Sequence, residues 1–458
     1  MYHLNSDGEP LACKATKGRC PYADDKHFSS KDEAREAFER LQENNVTSVS
    51  KSIQHAMTLS SETTDLLNML YGEGLNPYVV GGSVRDSMMS GAIPKDIDIE
   101  VFEAENMDDL ESLLKKSGYK VDSVGKSFGV LTMQLHNGES IDVALPRIDS
   151  KVGEGHRGFE VTVDPKLSMA DAAGRRDYTI NALYYSLRDG VVKDPYGGLE
   201  DYRKKQLRHI NEHFSDDPLR VIRGAQFAAR FKMQLSDETA ELCKSLKNTF
   251  DSLPVSRFQT EFYKMFTGDV TYGLKALAQT GWDTNLKLSE LKSGAGESAN
   301  QSIARADEFS EDRTVFGAAS LLKAAPNADR TYIAEYMVTK KSRQKKALAL
   351  SKVGGPRSHN ARDVKAWARE IGRSGLTAKD YYIISGDERA RKSAVKYQSF
   401  DSPIADIITG EKILEYSKDK PGPWMGKLLR EALQAQDEEV FTTDLAARQW
   451  LESKLKTL

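Results

Sequence analysis

The sequence predicts an α+β head, a mixed sheet with helices packed on it, followed by an all-helical remainder. Two observations carry that expectation. Strand and helix patterns alternate between about residues 52 and 200, and beyond about 200 strand patterns give way to helical periods that run to the end. A third sets the scale: 458 residues exceed what one core holds, so two to four packed units are expected.

Taken in order, residues 1–50 stand apart as a small Cys- and His-containing header. A Gly/Pro/Cys-bearing start leads into a helical stretch from Ser30 to Glu43, with a capping box available at Ser30 and Glu33. Residues 51–200 form the head. Tyr78-Val79-Val80 reads as a strand ending in Gly81-Gly82, and Ile97, Ile99 and Val101 alternate with Asp96, Asp98 and Glu100 at the period of a half-buried strand. Val130 to Gln134 and Ser140 to Leu145 supply two more strands. Residues 201–275 are helical, with periods over Asp217 to Phe231 and Ser236 to Leu246, and residues 276–458 continue as helices. The stretch Ser293-Gly294-Ala295-Gly296 reads as a linker.

Composition narrows the class. Apolar content of 39% and charged content of 29% fit a globular protein and argue against a disordered or fibrous chain. No apolar run reaches 18 residues and the start lacks the basic and greasy parts of a secretion signal, so a cytoplasmic protein without a membrane partner is expected. Three cysteines, Cys13, Cys20 and Cys243, are too few for a disulfide framework. His3, Cys13, Cys20 and His27 are four potential zinc ligands, although their spacing fits no standard finger; the competing reading is a header without metal. The net charge of −3 hides an uneven distribution, since residues 330–400 hold 17 Lys or Arg against 6 Asp or Glu. That local field points to a polyanion partner, with a solvated helical surface as the alternative.

The chemistry-bearing motifs begin with Gly81-Gly82-Ser83-Val84-Arg85-Asp86, which follows a strand and opens a helix. Glycines there let a backbone approach a ligand, the helix start offers unpaired N–H groups to a triphosphate, and Arg85 adds a bidentate phosphate contact. Next, Asp96 and Asp98 in Lys95-Asp96-Ile97-Asp98 share one strand face. Paired carboxylates suit Mg²⁺, which takes oxygen ligands, keeps several waters and accepts the rest of its shell from substrate phosphates; two ions are expected. Asp142, on another strand, is the candidate third carboxylate. In Arg175-Arg176-Asp177-Tyr178-Thr179-Ile180-Asn181, Arg176 suits the triphosphate or sugar and Asp177 is a second choice of acid. Asp194-Pro195-Tyr196-Gly197-Gly198 has turn composition and indicates only a reversal of the chain.

The most informative element is Asp216-Asp217-Pro218-Leu219-Arg220-Val221-Ile222-Arg223, where Asp217, Arg220 and Arg223 recur at three-residue spacing along a helix face. Cytosine and adenine both present an amino donor beside a ring-nitrogen acceptor. A carboxylate accepts from the first and a guanidinium donates to the second, whereas uracil or guanine leaves both protein groups unpaired. Discrimination by stranded polar groups reaches on the order of 10⁴ to 10⁵. Without its neighbours the same motif reads as a helix salt-bridge ladder.

The ordered set GGSVRD, KDIDIEVF, GRRDYTINAL, DPYGG and DDPLRVIRGAQF, over about residues 75 to 270, resembles that of class II tRNA nucleotidyltransferases (CCA-adding enzymes) and bacterial poly(A) polymerases. The resemblance implies a polymerase-beta-like nucleotidyltransferase head, a neck at 201–275 carrying the base-reading residues, and a body and tail at 276–458 that grip tRNA. It implies addition of C and A to tRNA 3′ ends from CTP and ATP, metal at Asp96 and Asp98, and nucleotide binding by Gly82, Arg85, Arg176, Asp217, Arg220 and Arg223. Val255-Ser256-Arg257 with Glu261-Phe262 is similar to the family's last motif, in which a helix braces the neck. Two positions depart from the pattern: Asp216 stands where the family usually has Glu, and Gln226 where many members have Arg. An A-only or poly(A) polymerase is the alternative enzyme, and an inactive RNA-binding module the alternative of another class.

Overall fold

The computed structural model describes residues 2–4, 10–12, 53–54, 57–90, 96–126, 129–151, 159–417 and 420–456. The chain divides into two compact units, Met1–Asp217 and Pro218–Leu458. Among the described residues no helix is long and apolar enough to cross a membrane. The expected header helix and Cys13, Cys20 and His27 lie outside the described residues, and of His3 only the strand backbone is described.

The first unit is built on strands β1 (Tyr2–Leu4), β2 (Pro10–Ala12), β3 (Ile53–Gln54), β4 (Asn76–Val80), β5 (Asp96–Phe102), β6 (Val121–Asp122), β7 (Val130–Gln134), β8 (Ser140–Ala144), β9 (Arg147–Lys151), β10 (Phe159–Val163), β11 (Tyr184–Ser186) and β12 (Val191–Lys193). Eight of them form one sheet in the order β3-β12-β11-β4-β5-β8-β7-β6. It is mixed, as expected: β5 and β8 run parallel, and β4–β5 and β7–β8 antiparallel. Ile97, Ile99 and Val101 are buried on one face with Leu66, Leu67 and Leu70 of the helix Ser61–Gly72 and with Leu110 and Leu114 of the helix Met107–Lys116. Full burial of one such side chain contributes roughly 1.5–3 kcal/mol, so this face fixes the register of β5.

The other face departs from simple alternation. Asp96 and Asp98 are exposed, but Glu100 and Phe102 are buried, because Tyr184, Ala182 and the short helix Met169–Gly174 cover that end of the strand. The sheet is thus sealed on both sides at one end of β5 and open on one side at the other.

The second unit is almost entirely helical. Its largest fully buried side chains, Trp282, Phe258, Phe262, Phe266 and Phe316, fill the core, and the Trp282 indole N–H donates to the Cys243 carbonyl at 3.0 Å. Cys243 is free, and burial pushes its thiol up to about 12. The helices Gly410–Ser417, Pro423–Asp437 and Asp444–Leu455 share a smaller core around Ile413, Leu428 and Leu451. Two sequence expectations shift. Two-residue strands persist past residue 200, Gln206–Leu207 in the first unit and Gln234–Leu235 in the second. The Ser293–Gly296 stretch is no linker, because Gly294 caps the helix Ala295–Glu308 in a left-handed conformation and Ala295 and Gly296 are buried.

Candidate active site

Asp96 and Asp98 emerge on the same open face of β5, two residues apart. Asp98 lies opposite Val80 of β4 and opposite Asp142 of the parallel strand β8, so the third expected carboxylate shares that face. Asp142 in turn faces Thr132, whose hydroxyl donates to it at 2.7 Å. Asp98, Glu100, Asp142, Arg147, Arg175 and Arg176 line a recess of about 220 Å³. Although solvent reaches Asp98, the surrounding protein atoms raise its carboxyl above the usual range; Arg176 pulls it down, and Asp142 and Asp96 push it up.

These residues fit a hard divalent cation. Among the described residues no group of three or more His, Cys, Asp or Glu is assembled to hold a metal. Mg²⁺ needs less, since one or two carboxylates plus waters and phosphates complete its shell. The mutual repulsion of three acids on one face is the kind of charge such an ion relieves.

Arg176 is positioned by a buried acid that sequence reasoning passed over. Glu100, 1% exposed, accepts from Arg176 at 3.4 Å, from Arg175 at 3.2 Å and from the Tyr184 hydroxyl at 2.8 Å. Burial pulls the Arg176 guanidinium down, but Tyr184, Glu100 and Asp98 leave it raised. Burial and the adjacent Glu100 charge push the Tyr184 hydroxyl up. Gly81 completes the arrangement. Its φ is +72°, and a Cβ there would meet an Arg176 guanidinium nitrogen at 2.8 Å and an Asp98 oxygen at 3.8 Å. The positive φ therefore favours glycine at the first position of the pair, and a Cβ there would displace the Arg176 guanidinium from its place beside Asp98. At Gly82 the nearest atom is an Arg85 nitrogen at 3.5 Å, ordinary contact.

Arg85 is placed differently from expectation. It is 6% exposed; its Nε donates to Asp86 at 2.8 Å and its guanidinium also donates to the Asn181 side-chain oxygen. Asn181 donates to Asp177 at 2.7 Å, and Asp177 also accepts from the Tyr178 backbone N–H at 2.7 Å. Arg85 and Asp177 thus tie the GGSVRD and RRDYTIN segments together inside the head. The DPYGG turn does more than reverse the chain. Buried Asp194 accepts from the Gly198 and Leu199 N–H groups, each at 2.8 Å, and a Cβ on Gly198 would lie 2.1 Å from the Thr179 carbonyl oxygen. The turn packs directly on the segment that carries Arg176.

Asp217 closes the first unit. Its backbone is extended (φ −122°, ψ 96°) and the helix begins only at Leu219, with Pro218 at the cap. The expected helix from Asp217 is therefore two residues too long, because a residue before proline is pushed out of helical geometry. Asp216 pairs with His213 at 3.1 Å. In the second unit Arg220 and Arg223 are half-buried on the helix Leu219–Phe231. Arg223 lies 3.8 Å from buried Glu261 of the helix Val255–Met265, which also pairs with Lys264 at 3.0 Å. Gln226 is 1% exposed, in the core of the second unit rather than at its surface. The residues missed were Glu100, Tyr184, Arg175 and Arg147; for Glu100 the available signal was its place in the Asp96, Asp98, Glu100 alternation.

Residues 77–208 match the poly A polymerase head domain family. The multifunctional CCA protein of Xanthomonas campestris pv. campestris is 36% identical over 210 residues, covering 44% of this chain and 48% of its own length. The chain thus spans about half the length of that curated relative. Across the wider chain the likeness is one of fold. The CCA-adding enzyme of Bacillus stearothermophilus, solved with CTP, matches with a TM-score of 0.57 and 19% identity over 86% of this chain and 97% of its own. That of Thermotoga maritima, solved with tRNA, matches at 0.59 and 17% over 90% and 98%.

The geometry around Glu100 sets a stability expectation. Glu100→Ala removes the acceptor of two largely buried guanidiniums and one phenol, and should cost roughly 3–5 kcal/mol. Glu100→Gln, which still accepts from Tyr184, should cost less. Urea denaturation followed by circular dichroism measures both, and an alanine variant as stable as the parent contradicts the assignment.

Proposed function

We propose that the whole protein adds C and A residues to tRNA 3′ ends, without a template, from CTP and ATP; the match of residues 77–208 to the poly A polymerase head domain and the similarity of the head to multifunctional CCA proteins support this reading. The observation that carries the reading is the convergence of Asp96, Asp98 and Asp142 on one open face beside Arg176. In the transfer, the 3′-hydroxyl oxygen of the RNA bonds to the α-phosphorus of the incoming nucleotide and the bond to the β-phosphate oxygen breaks, releasing pyrophosphate.

Asp96 and Asp98 are the proposed holders of Mg²⁺, with Asp142 as the third carboxylate; two bound ions supply activation of the hydroxyl and neutralisation of the phosphate charge. Arg176, held by Glu100 and pressed against Gly81, orients the triphosphate or sugar from the same recess. Gly82 contributes as the start of the helix Gly82–Ser90, whose first N–H groups suit phosphate oxygens. Arg85 supports this loop from within and is proposed to act on the nucleotide through it. Asp217 and Arg220 are the proposed readers of the amino and ring-nitrogen edge, with Arg223 completing the nucleotide-binding set and Glu261 bracing it.

The test offers the purified protein Mg²⁺, nucleoside triphosphates singly and in pairs, and tRNA transcripts ending before or after each terminal nucleotide, with products sized to one residue. Addition of C, C and A followed by arrest is expected. Long A tails would favour a poly(A)-type activity, and no product would overturn the enzymatic reading. Asp96→Ala combined with Asp98→Ala should lower turnover by at least roughly 10³-fold, the scale of losing metal-based charge stabilisation, while tRNA affinity holds; a parallel loss of binding contradicts the metal role. Arg220→Ala should reduce discrimination of CTP against UTP by roughly 10²-fold or more, because the ring-nitrogen donor is gone. Unchanged fidelity in single-nucleotide competition would remove Arg220 from the reading set.

A further inference from the structure

The recess beside Asp98 holds a third guanidinium, and the sheet determines where it stands. Arg175 and Arg176 are both held by Glu100, and Arg176 lies on the β4 side of Asp98, where a Cβ on Gly81 would meet it. Arg147 comes from the other direction. It begins β9, three residues past the end of β8, and lies opposite Val163 in the β9–β10 pair. Its side chain is half-buried and runs beside Gly129, where a Cβ would lie 3.6 Å from its Cδ and 3.7 Å from a guanidinium nitrogen. Gly129 leads into β7, whose Val130 faces Ala144 of β8. Val130, Ala144 and Arg147 line the recess together with Asp98, Asp142 and Arg176. The acids are thus flanked by arginine on two sides, Arg176 toward β4 and Arg147 toward β7 and β8.

The two flanks are not equivalent in the transfer. Attacking and leaving oxygens stand roughly in line across the α-phosphorus. The glycine loop, the start of the helix Gly82–Ser90 and Arg176 all lie on the β4 side, so a triphosphate held there sends its pyrophosphate out on that side. The attacking 3′-hydroxyl must then arrive from the β8 side, past Asp142. Arg147 stands on that approach.

The charge on an acceptor strand nearest to its 3′-hydroxyl is the phosphodiester on the 5′ carbon of the same terminal sugar. An ammonium would meet that group as a point charge, whereas a guanidinium fork grips two non-bridging oxygens and fixes direction as well as distance. We propose that Arg147 binds the last phosphodiester of the RNA acceptor and thereby aims the terminal 3′-hydroxyl at the α-phosphorus. The assignment deepens the proposed function and rests on it for the identity of the acceptor. Holding the reacting sugar by its own phosphate is a contribution to orientation, so it belongs to kcat rather than to the affinity for the whole RNA or for the nucleotide.

The test pairs a change in the protein with a change in the substrate. Two tRNA acceptors are assembled by ligating synthetic 3′ fragments that differ only at the last linkage, a phosphodiester in one and a neutral methylphosphonate in the other, with 2′-O-methyl on the preceding ribose in both. Addition of the first C is followed at saturating tRNA and CTP with Mg²⁺. In the parent chain the neutral linkage should lower kcat about 10- to 100-fold, the scale of a lost charge-assisted contact that orients a reacting group. Arg147→Ala should lower kcat on the charged linkage by a similar factor and then respond less than about threefold to the neutral one, while KM for CTP and Kd for tRNA stay within about threefold of the parent. Arg147→Lys, which keeps the charge without the fork, should recover part of the loss. A parent indifferent to the linkage, losses that multiply in full when both changes are combined, or a raised KM for CTP with kcat intact would each overturn the assignment. If the alanine variant melts below the parent, Arg147→Lys takes its place in the comparison. A parent that adds no nucleotide to either acceptor defeats the proposed function and this assignment together, whereas an active parent with fully multiplying losses defeats the assignment alone.

Discussion

The head depends on a single buried carboxylate. Glu100 lies on the strand that carries Asp96 and Asp98, and from inside the protein it accepts from Arg175, Arg176 and Tyr184. An ionised carboxylate at this depth is tolerated only with partners of opposite charge and full hydrogen bonding, and those partners come from elsewhere in the sheet and from the segment after the helix Met169–Gly174. The interaction therefore does two things together. It closes the second face of the sheet at the Phe102 end, and it delivers Arg176 to the edge of the open end, beside Asp98.

The surrounding motifs are best understood as constraints on that delivery. Gly81 lacks the Cβ that would collide with Arg176, Asp194 and Gly198 hold the DPYGG turn flat against Thr179, and the Arg85, Asn181 and Asp177 network ties the glycine loop to the arginine segment. Each motif is short and weak in isolation. In three dimensions they are parts of one cradle, which is why their order along the chain carries more meaning than any one of them.

Much of this was legible in the sequence because it rests on local periodicity. The alternation at Ile97, Ile99 and Val101 placed Asp96 and Asp98 on one face, and the strand at Ser140 put Asp142 within reach of them. What the sequence did not display were properties that depend on what covers a face. Glu100 has the same parity as the two exposed acids, yet it is buried, because Tyr184 and the helix Met169–Gly174 come from more than sixty residues away. Arg85 has the composition of a phosphate ligand, but Asn181 claims it, a pairing between residues 96 apart. The linker reading at Ser293–Gly296 failed for a related reason. Small residues mark both flexible joints and close helix contacts, and here Gly296 sits against Thr271, where a Cβ would have no room.

The distribution of charge follows from the same contrast between local and non-local effects. Counting residues locates a basic region but does not say which cations are already paired. Arg369 is among the least available in the chain, because two acids from beyond residue 400 enclose it. Lys346 and Arg343 meet acids on neighbouring helices. What reaches solvent as an uncompensated field is therefore smaller than the sequence total. A guanidinium enclosed by acids on neighbouring helices braces the fold instead of facing solvent, so burial and pairing decide which basic residues are open to a ligand.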